Sequence, residues 1–236
     1  MQCPLCGKVV DAAVVFAIWL TAQLLLCAPL ARAVPGPVEG YFHDGPPRWK
    51  CILNMLTQLL VLPPLLACSL TAYGGSFDRW SRSLMKSSLR GMKSSLQGGV
   101  CIEWVFICIF PTWLLLDFVL VEVRVLMFLH HVVCLFGHYL ACFVFPRGFP
   151  WYFVGVVALE LGSCCCNIFS LWPTSKLAQW VYLVGMSISN MVALECMRRW
   201  RHGAHPIAAW GIVAAVITAV LVAVRQRETY RAWYSW

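Results

Sequence analysis

Two adjacent histidines, His130 and His131, stand in an otherwise apolar stretch, with Phe128-Leu129 ahead of them and Val132-Val133-Cys134 behind. An imidazole can take up or release a proton near neutral pH, and it can also serve as a nucleophile. Both roles need a neighbour that fixes the ring's tautomer. Asp117 lies upstream, and Glu160 and Asn167 lie downstream. On a helix from about 125 to 145, His131 and His138 are seven residues apart and share a face with Cys134, while His130 is turned by about 100°. If the chain were helical through 121–125, Asp117, Arg124, His131 and His138 would form one heptad stripe. A break there brings Asp117 back beside the histidines, and either geometry supplies a carboxylate. Glu160, Ser163, Cys164 and Asn167 follow at i, i+3, i+4 and i+7. They line one face, expected to look toward the histidines across a hairpin at Pro146 to Pro150.

The elements that must position these groups are membrane helices. Of 236 residues, 61% are hydrophobic and 12% charged, against roughly 25% charged in a soluble domain. Too few charges remain to build a water-facing surface. The apolar residues arrive in seven runs, near 9–30, 52–73, 100–121, 125–145, 149–172, 178–197 and 207–224. About 20 apolar residues cross a hydrocarbon core of roughly 30 Å. The fold class is therefore all-α, a multi-pass transmembrane bundle of six to seven spans. An ionisable group inside such a span costs roughly 2.5 to 3.5 kcal/mol at the helix centre, so each asks for a partner or a function. Two histidines in a span also suit hydrogen-bonded glue between helices.

Residues 1–33 read as an N-terminal transmembrane helix or signal anchor. Lys8, the apolar stretch and Ala31-Arg32-Ala33 also fit a cleavable signal peptide, but the length favours an uncleaved helix. Pro35, Pro37, Pro46 and Pro47 make the following segment a loop. The stretch Gly74 to Gly99 carries Arg79, Arg82, Lys86, Arg90 and Lys93 among serines, with Leu84, Leu89 and Leu96, and is expected to lie on the membrane surface as an interfacial helix. Its basic cluster tips that loop toward the cytoplasm. Pro63, Pro64 and Pro111 should kink or interrupt their spans and leave carbonyls for neighbouring helices to satisfy. Residues 225–236 read as a basic and aromatic tail that anchors at the interface rather than as a folded unit.

The stretch Asp117 to Trp172 contains Asp117-Phe118, Leu129-His130-His131-Val132-Val133, Glu160-Leu161-Gly162-Ser163 and Asn167. It resembles the core of the TLC domain shared by TRAM, the LAG-type ceramide synthases and the CLN-type proteins. The close likeness covers about a quarter of the chain, and Arg48-Trp49-Lys50 resembles the start of the family's second span. The resemblance implies a TLC-like domain over residues 34–224 in the endoplasmic reticulum or another endomembrane. It implies membrane lipids as partners, and a role in sphingolipid or phospholipid homeostasis, sensing or remodelling. In ceramide synthases the histidine pair serves N-acylation of a long-chain base, with acyl-CoA as co-substrate. Carried over, His130 or His131 would be general base or acyl acceptor, with Asp117 orienting a ring and Glu160, Asn167 and His138 lining the cavity. This chain has Cys134 where a threonine is common, and the single Glu160 where synthases carry a paired acidic element. These departures point to the non-synthase members.

Other classes fit less well. The net charge of +8 sits between the apolar runs and suits anionic headgroups, and no nucleic-acid-binding element is visible. Most of the 13 cysteines lie in or beside apolar runs and behave as small hydrophobes. Cys3 and Cys6 form a single CxxC, half a zinc site, so neither a metal nor another cofactor is expected. A proton-coupled carrier remains as the reading from a different class, since intramembrane Asp, Glu and His can relay protons.

Overall fold

The computed structural model describes residues 12–38, 46–86, 102–120, 125–203 and 208–235, and every regular element among them is helical. Cys3, Cys6, Leu89, Arg90, Lys93, Leu96 and Arg124 lie outside the described residues, and so do the readings placed on them. The α-helices among the described residues are α1 (Ala12–Ala33), α2 (Arg48–Leu60), α3 (Leu62–Ala72), α4 (Phe77–Lys86), α5 (Ile102–Leu120), α6 (Val125–Tyr139), α7 (Phe149–Leu171), α8 (Lys176–Gly203) and α9 (Ala208–Tyr234). A π turn, Leu140–Val144, extends α6.

Among the described residues five helical segments are long and apolar enough to cross a membrane: Val14–Ala33, Arg48–Ala72, Ile102–Leu120, Pro146–Leu171 and Lys176–His202. A shorter apolar helix covers Phe128–Val144. Among the described residues each of the seven apolar runs is helical, the last of them in α9, and a helix satisfies its own backbone polar groups segment by segment, as hydrocarbon requires.

The three span prolines act differently. Pro63 and Pro64 sit in the first turn of α3, where a missing N–H costs nothing, and the chain breaks only at Val61 between α2 and α3. Pro111 lies inside α5 without ending it. At the end of α3, Gly74 and Gly75 take positive φ of 78° and 71°. Gly75 N–H donates to Leu70 O at 3.0 Å and Gly74 N–H to Thr71 O at 2.9 Å, so the glycines close the helix in a Schellman turn. Within the segment 74–99 the described part is the helix α4, with Asp78, Arg79 and Arg82 exposed and Trp80, Ser81 and Leu84 buried.

The chain divides into two compact units. Among the described residues, the first takes the start of α1 to Leu24 and the stretch Leu65–Pro150. The second takes Leu25–Pro64, Trp151–His202 and α9.

The second unit corrects one reading. Residues 225–234 are not a tail but the last turns of α9. Their inward face, Val222, Thr229 and Ala232, is buried. Thr229 Oγ1 donates to the Tyr182 hydroxyl at 3.2 Å, Gln226 Nε2 donates to Ser187 Oγ, and Asn190 Nδ2 donates to Gln226 Oε1, each of the last two at 2.9 Å. These contacts fasten α9 to α8. The three consecutive cysteines are packing groups: Cys164 is buried, and a side chain added at Gly185 on α8 would strike Cys165 Sγ.

Candidate functional site

In the first unit, α5 and α6 pack side by side and carry the histidine cluster. His131 Nε2–H donates to Asp117 Oδ2 at 2.9 Å. Fourteen residues of straight helix would hold the two about 21 Å apart. The contact therefore exists only because the chain reverses between α5 and α6, the arrangement in which Asp117 returns beside the histidines.

His131 is 3% exposed, and the ring of Phe118 meets it edge-on at 5.4 Å. A carboxylate can only accept, so the bond to Asp117 fixes Nε2 as a donor and holds the ring's orientation. His130, the next residue, is turned by one helical step, and its ring stands at 85° to that of His131 with centroids 5.7 Å apart. It is half-buried, and the exposed Leu129 and Val132 lie on another side of the helix. Cys134, one turn on, brings Sγ to 3.6 Å from His130 Nε2. The cluster thus has a buried, oriented imidazole and a second, half-buried one beside it.

His138, expected to line a cavity, has a different duty. Pro111 lacks the N–H that would bond Ile107 O one turn back in α5. His138 Nε2–H reaches across from α6 and donates to that carbonyl at 3.0 Å. It is buried against Phe106 and Phe110, with ring centroids at 6.1 and 5.5 Å. The neighbouring helix thus satisfies the carbonyl that the proline frees.

Glu160 and Asn167 belong to the second unit, where both bond Gln58 of α2. Gln58 Nε2 donates to Glu160 Oε2 at 2.9 Å, and Asn167 Nδ2 donates to Gln58 Oε1 at 3.0 Å. A single buried amide bridges the i and i+7 positions of α7. Close by on the same helix, Arg225 of α9 donates from Nη2 to Leu159 O at 2.9 Å and from Nη1 to Ser163 Oγ at 3.4 Å.

The sequence did not single out Gln58 or the Trp80–Ser69 pair in the first unit, where Trp80 Nε1 donates to Ser69 Oγ at 2.7 Å and Ser69 donates to Glu103, one of the ionisable residues that stand out in the apolar runs. Gln58 is uncharged, sits in an apolar run and shares α2 with a second amide, Asn54, so its residue type alone carries no signal. Arg225 was assigned to a tail. Among the described residues no group of three or more His, Cys, Asp or Glu side chains could hold a metal ion. No family model, curated protein or solved structure matches the chain.

Proposed function

We propose that this is a TLC-like multi-pass protein of an endomembrane that acts in membrane lipid homeostasis, sensing or remodelling through the α5–α6 histidine cluster. The observation that carries the reading is the Asp117–His131 hydrogen bond with His130 beside it, set in helices built for lipid. A partly buried carboxylate and a buried imidazole together would be costly ornaments in a span, and a task for the pair offsets that cost. Five spans are of full length, and Val125–Val144 and the apolar start of α9 complete a seven-span reading. The 15 residues of α6 and the five of its π turn extend it to about 30 Å, enough to cross.

The sharper version is acyl-CoA-dependent N-acylation of a sphingoid base. In it His130, the more accessible of the two rings, takes the proton from the attacking amine. The nitrogen bonds the thioester carbonyl carbon, the carbon–sulfur bond breaks, and the CoA thiolate leaves and is protonated. His131, held by Asp117, positions His130 and shares the developing charge.

A lipid profile of membranes from cells expressing the wild type or a His130→Ala/His131→Ala variant at matched abundance tests both versions. New ceramide with the wild type alone supports acyl transfer. Altered phospholipids without ceramide support homeostasis. No lipid difference overturns both and favours the proton-coupled carrier, whose signature is substrate flux in vesicles under an imposed pH gradient.

A further inference from the structure

The outward face of α9 is continuous and has two halves. Val213, Val216, Val220 and Ala223 are exposed along its first part, and Arg227, Tyr230, Arg231 and Tyr234 along its last. At 100° per residue all eight fall within an arc of about 100°. The opposite face, with Val222, Thr229 and Ala232, is the buried one, and Arg225 is spent there on α7. From Ala223 to Ser235 the outward face borders a shallow cavity of about 700 Å³ that also touches Gln226.

Apolar side chains that give way along one line to two guanidiniums and two phenols match an amphiphile with a tail and an anionic head. Arginine prefers planar or tetrahedral oxyanions that accept from its fork, and tyrosines favour the headgroup level. The one acidic residue of α9, Glu228, lies at the edge of the arc and pairs with Arg231 at 2.9 Å, so the polar half keeps an excess of positive charge. A zwitterionic head would bring its own cation against that excess.

We propose that this face binds one anionic glycerophospholipid from the bilayer, its phosphate at Arg227 and Arg231 and an acyl chain along Val220, Val216 and Val213. The site involves none of the histidine cluster and stands or falls independently of the function proposed above.

Purified full-length protein, stripped of lipid in non-ionic detergent, is titrated with phosphatidylserine or phosphatidylcholine, and bound lipid is read by native mass spectrometry. The wild type should retain phosphatidylserine in preference to phosphatidylcholine. The pair Arg227→Gln/Arg231→Gln should lose that preference by roughly tenfold to thirtyfold. Arg227→Lys/Arg231→Lys should keep most of it, and Arg198→Gln/Arg199→Gln, an equal charge loss on α8, should keep all of it. Equal retention of the two lipids by the wild type overturns the proposal, as does an equal loss in the α8 variant. So does a dimer that the α9 glutamines dissolve without any lipid dependence, which would give the face to a second copy.

Discussion

At the scale of single residues, two histidines one helix turn and more apart do opposite jobs, and substitutions can separate them. His138 satisfies a carbonyl that Pro111 orphans, so His138→Leu should destabilise the protein by about 1–3 kcal/mol, the cost of a buried acceptor left unpaired. Pro111→Ala returns an N–H to α5, and in that background His138→Leu should cost distinctly less. A double-mutant cycle on thermal unfolding in detergent measures the coupling, and strict additivity would refute the pairing. Asp117→Ala should also lower stability by about 1–3 kcal/mol because His131 loses its acceptor. Asp117→Asn keeps an acceptor oxygen but not the charge, so it should retain most of the stability while reducing any lipid change that depends on an oriented imidazole. The sequence made Asp117 and the histidines legible because ionisable groups stand out against hydrocarbon. The partner of His138 was not legible, since a freed backbone carbonyl has no residue type of its own. Gln58 was not legible either, because one amide among leucines resembles a tolerated polar residue until Glu160 and Asn167 are seen to meet it.

Among the elements, small residues and buried polar anchors decide how helices meet. A side chain added at Gly162 on α7 would collide with Ser189 of α8 and crowd Arg225 of α9. Gly162→Val should therefore lower the unfolding temperature in detergent, and should do so more than Gly137→Val on α6, where open space surrounds the position. In the first unit α4 is held by Trp80, fully buried and bonded to the Ser69 hydroxyl that Glu103 accepts from. Trp80→Ala should cost about 3–5 kcal/mol, and limited proteolysis should then cut within 77–86 at protease levels the wild type resists. The apolar runs made seven helices legible, because runs of about 20 leave the backbone no other solution in lipid. The last turns of α9 were illegible for the converse reason. Arg225, Arg227, Glu228 and Arg231 lower the hydropathy of a segment whose inward side, Thr229 and Ala232, is as buried as any core.

For the whole molecule, the decisive quantity is how many helices cross. Three places test it without reference to the chain's start: the loop near Gly36, the turn at Thr174 between α7 and α8, and Ser235 after α9. Between the first two lie α2 with α3 as one span, then α5, α6 with its π turn, and α7. In the proposed seven-span arrangement four crossings there put Gly36 and Thr174 on the same side, and two more, α8 and α9, put Ser235 there as well. If α6 is too short to cross, only three spans separate the first two sites and they fall on opposite sides. If α9 lies along the surface instead, Thr174 and Ser235 separate. Glycosylation acceptor sites inserted one at a time at these positions, in protein made with microsomal membranes, should all be modified or all be left bare. That parity also bears on the chemistry, because the histidines sit near the start of α6. An α6 that spans holds His130 within the hydrocarbon, where an acyl chain can reach it and a proton taken from an amine has few other places to go. An α6 that only dips into one leaflet would leave the same ring at the headgroup level beside water. The cluster would then titrate against bulk solvent, and the carboxylate–imidazole pair would act as a surface sensor rather than a site enclosed by lipid.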